Sequence, residues 1–208
     1  AVYRVENSKI GVTVATSGPG ATNLITGIAC SYFDSIPSIH ITGQVNSKES
    51  SKYLEANVRQ AGFQETDIVR MVEPITKAAK KVEDFLDLKN TLEEFYLEAI
   101  SGRMGPVLID IPMDVQQEEV AKFTRKEVFT KKTDFNITKE HADKLNTFFK
   151  SSKRPLVLFG AGIGLSNSQD KVINWINSLN VPFVSSWNGM SYFDHCNKNY
   201  YGHIGVYG

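Results

Sequence analysis

The chain has 208 residues, and its 23 basic and 23 acidic residues give a formal net charge of zero at pH 7. This balance gives no support for binding to nucleic acid or to an anionic membrane, and no apolar run approaches the ~18 residues of a membrane span. The hydrophobic fraction of 41% is ordinary for a globular protein of one or two domains. Cys30 and Cys196 are far apart in sequence, so we expect two structural thiols in a reducing, cytoplasmic setting rather than a disulfide or a metal site.

The chain begins with a strand–turn–helix–strand pattern. Residues 10–15 form a short apolar run rich in β-branched residues, which predicts a buried strand, and the turn at residues 16–20 contains two glycines and Pro19. Helical spacing follows, with one apolar stripe at Leu24, Ile25, Ile28, Ala29 and Tyr32. Residues 36–41 predict a second, parallel strand, so a ligand is expected at the carboxyl end of the first strand. Local rules alone would place a phosphate at the helix start, but no lysine follows the glycines as in a P-loop.

Further elements follow with the same α/β character. Residues 46–57 are polar and predict a loop of functional length, and residues 68–72 predict a short amphipathic turn. Residues 74–78 have β character. Residues 85–100 form the clearest helical pattern, and residues 106–111 predict another buried strand.

The pattern dissolves between Gln116 and Thr138, where basic residues crowd a stretch with few large apolar side chains. A solvated linker is favoured over a nucleic-acid patch, because no aromatic platform accompanies the charges. We therefore predict a first domain over residues 1–120, a linker over 121–137 and a second domain over 138–208. A helix capped by Thr138 or Asp134 is predicted to run to Lys150. Strands at 155–159 and 181–184 and the helix at 172–179 between them form a second βαβ unit. The predicted fold class is α/β, with parallel sheets flanked by helices (doubly wound) in two domains, both incomplete because each end of the chain reads as cut.

A second glycine turn, with Gly160, Gly162 and Gly164, separates the strand and helix of that unit. Its GxGxG spacing differs from the dinucleotide pattern, and the acidic residue expected roughly 20 positions on is missing. Tight strand-to-helix packing and contact with a nucleotide pyrophosphate both remain open at this turn.

Seven ordered sequence blocks resemble the thiamine-diphosphate-dependent enzymes of the acetolactate synthase (acetohydroxyacid synthase) type. The blocks are TSGPGATN at 16–23, DSIP at 34–37, ITGQ at 41–44, FQE at 63–65, ITK at 75–77, SGRMGPV at 101–107 and DIPMDVQ at 110–116. The resemblance makes residues 1 to about 117 most of the pyrimidine-binding domain, and residues 138–208 the start of a Rossmann-like central domain.

The resemblance implies site residues by position. Pro19, Gly20 and Asn23 would line the aminopyrimidine of the cofactor, although helix capping and packing would also explain them. Phe63 and Gln64 would reach the thiazolium and the second substrate as catalytic residues. The alternative for Gln64 is a hydrogen bond that orders its loop. Glu65 is expected to anchor the loop, and Gln44 to stand behind the site.

The cofactors and partners follow from the same resemblance. Thiamine diphosphate supports decarboxylation of a 2-keto acid and carboligation to an acceptor carbonyl. Mg²⁺ and the diphosphate would be held by a domain after Gly208, and the glutamate that activates the pyrimidine would lie before Ala1. FAD is possible. The family predicts a homodimer or homotetramer, and the chain alone is expected to be inactive.

Two departures from the family pattern put the acceptor and the flavin in doubt. Met113 stands where a lysine usually follows Asp-Ile-Pro, and the loop at 45–58 is more polar than is common. They suggest a relative of acetolactate synthase with a different acceptor, in sugar or surface-polymer biosynthesis. The alternative function is a non-catalytic nucleotide-binding or dimerising module. The four histidines fit no metal spacing, and His40 on an apolar strand is expected to be a core histidine with satisfied hydrogen bonds.

Overall fold

A computed structural model describes residues 10–55, 57–119 and 137–206. The chain divides into two compact units, one from Ala1 to Thr133 and one from Asp134 to Gly208. The predicted linker at 121–137 lies outside the described residues except for Ile137, so its structure stays a prediction. Parallel sheets flanked by helices confirm the predicted α/β class.

The first unit contains one four-stranded parallel sheet with the order β1-β2-β4-β3. In chain order its elements are β1 (Gly11–Ala15), α1 (Pro19–Asn23), α2 (Ile25–Phe33), β2 (Ser38–Gln44), α3 (Ile68–Val72), β3 (Ala78–Lys81), α4 (Phe85–Ile100), β4 (Pro106–Pro112) and α5 (Met113–Gln116). Two short 3₁₀ turns lie at Ser47–Glu49 and Glu73–Ile75.

Strand β4 carries the core of this unit on both faces, because every one of its residues is buried. Val107 and Ile109 pack with Phe95 and Ala99 of α4. Leu108 points to the opposite face, where it joins a cluster from α1, α2 and α3 that contains Ala21, Ile28, Ile68 and Val72. The two-residue alternation of a strand thus places one helix layer on each side of the sheet.

Helix α4 matches its predicted range. The Asp84 carboxylate caps its start by accepting a hydrogen bond from the Asp87 N–H (2.7 Å), and Phe95 and Ala99 are buried. The Lys77 ammonium donates to the carbonyls of Glu98 and Ser101 at its other end, where cations stabilise the last turn.

Three local predictions were wrong. The buried strand at 10–15 is instead a half-exposed one, with Val12 55% and Val14 77% exposed. The helix after the glycine turn is interrupted at Leu24, whose N–H bonds the Ala21 carbonyl in a tighter, three-residue turn. The strand predicted at 74–78 lies instead at 78–81, because Pro74 is part of a 3₁₀ turn.

His40 is the buried core histidine that the sequence predicts. It is 4% exposed, its Nδ1 lies 2.7 Å from Thr13 Oγ1, and its Nε2 lies 2.9 Å from Ser38 Oγ. Burial lowers the pKa of His40 to about 4.

We therefore expect His40 to stay neutral down to about pH 4 in the folded protein. An unfolded histidine titrates near 6.5, so the unfolded chain binds the extra proton first and stability falls as the pH drops from that value toward 4. A histidine NMR titration of the full-length protein tests this. A His40 signal that titrates near pH 6.5 would contradict the expectation.

The second unit is a three-stranded parallel sheet with the order β5-β6-β7. Its elements are α6 (Lys139–Ser151), β5 (Val157–Phe159), α7 (Gly162–Leu165), α8 (Gln169–Leu179), β6 (Phe183–Ser185), a 3₁₀ segment at Trp187–Tyr192 and β7 (Tyr200–His203). Rings of Phe159, Phe183, Phe193 and Tyr200 form the core.

None of the helices in the described parts of the chain is long and apolar enough to cross a membrane.

Candidate functional site

The predicted site residues follow strands that end at one edge of the first sheet. β1, β2 and β4 are parallel, so Ala15, Gln44 and Pro112 mark the same carboxyl edge. Gly43 lies at their junction: a Cβ added there would be 3.9 Å from the Ser17 nitrogen and 3.5 Å from Gln116 Nε2. The TSGPGATN, ITGQ and DIPMDVQ blocks therefore meet in space.

The glycine turn contacts the FQE block directly. Gly18 is the N-cap of α1, with Pro19 at the first helical position as predicted, and its φ of 57° and ψ of −118° suit glycine alone. A Cβ on Gly18 would lie 2.8 Å from the Gln64 carbonyl oxygen and 2.9 Å from Gln64 Cβ. The two blocks, 46 residues apart in sequence, are packed at van der Waals distance.

Gln64 has a left-handed backbone with φ of 59°, while the neighbouring Phe63 side chain is 84% exposed. A positive φ in a residue other than glycine is a strain that surrounding contacts must offset. An exposed aromatic ring beside such a residue presents an apolar surface at the carboxyl edge. Both features are typical of a binding loop.

The Glu65 carboxylate holds this loop in place, as expected from the sequence. It accepts hydrogen bonds from the Ser51 N–H (2.8 Å) and hydroxyl (2.8 Å), and from the N–H groups of Ala61 (3.1 Å) and Gly62 (3.3 Å). Partial burial alone would raise the pKa of Glu65, but the hydrogen bonds from Ala61, Ser51 and Gly62 outweigh it and lower the pKa below the usual value. Glu65 thus joins the polar loop after β2 to the FQE block.

We expect Glu65→Gln to loosen the segment from Ser51 to Gly62 at neutral pH. The NH₂ group of the new amide would face backbone N–H groups that donate to the carboxylate in the parent protein, and two donors cannot bond to each other. Since the folded pKa is lowered, the contribution of Glu65 is present above its unfolded pKa near 4.5 and is lost as the pH falls below it. Hydrogen exchange of this segment in the full-length protein measures both effects. Glu73→Gln, at an exposed glutamate outside the loop, is the control and is expected to leave the exchange unchanged.

The three residues predicted to line the cofactor ring lie on α1. Pro19 and Asn23 are exposed, and Asn23 lines a cleft of about 480 Å³ between β1 and α2 that also contains Thr13, Gly27 and His40. Gly20 packs on Thr16, because a Cβ there would lie 2.6 Å from Thr16 Cγ2. This contact gives Gly20 a packing role. The predicted contacts of Pro19, Gly20 and Asn23 with the cofactor stay predictions.

Sequence reasoning missed Asp110, a buried carboxyl in the middle of β4 that is 1% exposed. Thr42 Oγ1 donates to its Oδ1 (2.7 Å), and Gln44 Nε2 donates to its Oδ2 (3.0 Å). Gln44 thus stands behind the edge, where the sequence places it. The available signal for Asp110 was a single charge inside the otherwise apolar run 106–112.

The donor set at this edge suits a neutral heterocyclic ring. The residues assigned to the cofactor offer side-chain amides and an aromatic ring, and none of them carries a charge. Within residues 10–55, 57–119 and 137–206, no cluster of three histidine, cysteine or acidic side chains could hold a metal ion. That these residues contact the ring of thiamine diphosphate rather than its diphosphate stays a prediction.

The second glycine turn packs tightly at one point. A Cβ on Gly164 would lie 2.1 Å from the Tyr192 ring, so this position needs a glycine for space. A Cβ on Gly162 would meet no atom within 4 Å. Packing, one of the two readings of this turn, accounts for Gly164.

Comparison with known proteins places the chain in a family. Residues 1–71 match the thiamine pyrophosphate enzyme N-terminal TPP-binding domain, and residues 142–208 match the thiamine pyrophosphate enzyme central domain. The chain belongs to the thiamine pyrophosphate enzyme family, whose domain description indicates thiamine diphosphate as the cofactor.

Its relatives include acetolactate synthases. The large subunit from Lactococcus lactis is 34% identical over 99% of this chain and 35% of its own length. Acetolactate synthase isozyme 2 large subunit of Escherichia coli is 32% identical over 99% and 36%, and the chloroplastic enzyme of Arabidopsis thaliana is 33% identical over 90% and 27%. The chain thus spans about a third of the length of the curated relatives it matches. The sequence resemblance to the acetolactate synthase type is confirmed.

Proposed function

We propose that the protein containing this chain is a thiamine-diphosphate-dependent enzyme that decarboxylates a 2-keto acid and joins the product to an acceptor carbonyl. The supporting observation is the contact between the Gly18 turn and Gln64, which brings two of the family's sequence blocks together at the carboxyl edge of the sheet. This chain would bind the aminopyrimidine end of the cofactor.

Each site residue has a defined part in this proposal. Pro19, Gly20 and Asn23 line one side of the aminopyrimidine, and the Asn23 amide donates to or accepts from the ring. Phe63 supplies an apolar surface that excludes water, and the Gln64 amide orients the substrate oxygen. When bound, thiamine diphosphate supplies the electron sink that decarboxylation of a 2-keto acid requires.

Other parts of the proposal rest on family resemblance. Mg²⁺ and the diphosphate would be bound outside this chain, FAD is a possible further cofactor, and the assembly would be a cytoplasmic homodimer or homotetramer. Met113, 48% exposed at the start of α5, occupies the position of the family's usual lysine. It supports an acceptor other than a second 2-keto acid, and acetolactate formation from pyruvate by the full-length enzyme would contradict that part.

The deciding experiment is an assay of pyruvate decarboxylation by the full-length protein with and without thiamine diphosphate and Mg²⁺. We expect turnover that depends on the cofactor, and a loss of kcat/KM of about tenfold or more in Gln64→Ala, equal to at least about 1.4 kcal/mol. Gln117→Ala, at an exposed glutamine, is the control. Cofactor-independent turnover would overturn the proposal, as would full activity of Gln64→Ala. The isolated chain is expected to bind the cofactor weakly, which calorimetric titration measures.

A further inference from the structure

Asp110 presents an energetic problem that the proposed function does not explain. A carboxyl group that is 1% exposed in the central strand loses its hydration, and burial raises the pKa of Asp110 although the hydrogen bonds from Thr42 and Gln44 oppose this. An apolar side chain at this position would avoid the cost. The position is therefore expected to have a use beyond packing.

The hydrogen bonds of Gln44 indicate such a use. Its Nε2 donates one hydrogen to Asp110 Oδ2 (3.0 Å) and the other to the Thr66 carbonyl (2.8 Å), while its Oε1 accepts from the Val45 N–H (3.0 Å). Both amide hydrogens are thus in use, so the orientation of the Gln44 side chain is determined by partners on three sides.

Thr66 connects this network to the loop above it. The Thr66 hydroxyl donates to the Gln64 carbonyl (3.4 Å), and the same carbonyl is the group that faces Gly18. A continuous series of contacts therefore leads from Asp110 through Gln44 and Thr66 to Gln64 and the glycine turn.

We propose that Asp110 is a positioning residue that fixes Gln44, which in turn holds the Thr66 carbonyl and so sets the place of Gln64 beside the Gly18 turn. An ionised carboxylate suits this task because both of its oxygens accept hydrogen bonds, one from Thr42 and one from Gln44, and it has no hydrogen of its own to donate. The catalytic consequence rests on the proposed function, whereas the structural consequence does not.

Two nearly isosteric variants separate positioning from general stability. Gln44→Met removes both the bond to Asp110 and the bond to Thr66. Thr42→Val removes a bond to the same carboxylate but leaves the Gln44–Thr66 connection intact. Asp110→Asn is the conservative variant, because its Oδ1 can still accept from Gln44 while its Nδ2 donates to the Thr42 hydroxyl.

Hydrogen exchange of residues 62–67 in the full-length protein is the direct readout. We expect Gln44→Met and Asp110→Leu, which removes the carboxylate, to accelerate exchange there by about tenfold or more. Thr42→Val and Asp110→Asn should stay within about twofold of the parent protein, although all four lower the melting temperature. No acceleration in Asp110→Leu would contradict the role of Asp110. Equal acceleration in Gln44→Met and Thr42→Val would overturn the inference. If Gln44→Met does not fold, Gln44→Asn breaks the same bridge by shortening the side chain.

Kinetics of the same variants carry the inference to the reaction. We expect kcat to fall about tenfold in Gln44→Met and to change less than twofold in Thr42→Val. A matched loss in both variants would show a stability effect only and would contradict the positioning role. Absence of any thiamine-dependent turnover in the parent protein would refute the proposed function instead, and the exchange measurement would still decide the inference.

Discussion

Replacing Gly18 by alanine is expected to lower kcat/KM of the full-length enzyme by about 10²-fold, because displacing a positioned group by about 1 Å can cost this much. The added Cβ would lie 2.8 Å from the Gln64 carbonyl oxygen, so either the turn or the FQE loop must move. The backbone at φ 57° and ψ −118° adds strain of about 1–3 kcal/mol for any residue with a side chain.

Gly102 offers a matched control for this experiment. It also has a φ of 57°, but a Cβ added there would meet no atom within 4 Å. Gly102→Ala should therefore cost about 1 kcal/mol of backbone strain and leave kcat/KM unchanged. Steady-state kinetics and thermal unfolding of both variants separate the effect of the steric clash with Gln64 from the effect of backbone strain. An equal loss of activity in the two variants would argue against a functional contact between the turn and Gln64.

Leu108→Ala is expected to have the largest effect on stability, about 2–5 kcal/mol. Leu108 is fully buried at the centre of the sheet and packs in the cluster that contains Ala21 of α1 and Ile28 of α2. The cavity would thus open beneath the helix that bears Pro19 and Asn23. Native-state hydrogen exchange of the strands in the first unit measures the loss.

Ile109→Ala distinguishes local loosening from global destabilisation. Ile109 is equally buried on the next position of β4, but its side chain packs on the opposite face, in the cluster of α4. Both variants should lose similar stability, whereas only Leu108→Ala should accelerate exchange in α1 beyond the global change. Equal behaviour of α1 in the two variants would mean that this helix does not depend on the packing below it.

Most of the fold could be predicted because local patterns and tertiary packing agree. The helix at 85–100 has both an apolar face and an aspartate cap, and the parallel strands are short apolar runs between turn residues. The interruption at Leu24 could not be predicted, since leucine is a good helix former and nothing in the local sequence marks a break there. The displaced strand at 78–81 reflects pairing with β4, which no local pattern of alanine and lysine encodes.

The candidate site was less accessible to sequence reasoning. Resemblance pointed to residues 16–23 and 63–65, but only the structure shows that Gly18 and Gln64 touch and that Gln64 has a left-handed backbone. The use of Asp110 depends on a hydrogen-bond series across residues separated by more than 60 positions, which sequence spacing does not reveal.

The place of β4 in the sheet has a consequence for biosynthesis. It is the last of the four described strands of the first sheet in chain order, yet it lies between β2 and β3, and β3 pairs with no other described strand. During translation β3 must wait unpaired until β4 has left the ribosome, and Gln44 acquires its carboxylate partner only then. The geometry of Gln64 is therefore expected to be among the last features of this unit to form, so nascent chains shorter than about residue 112 would lack it.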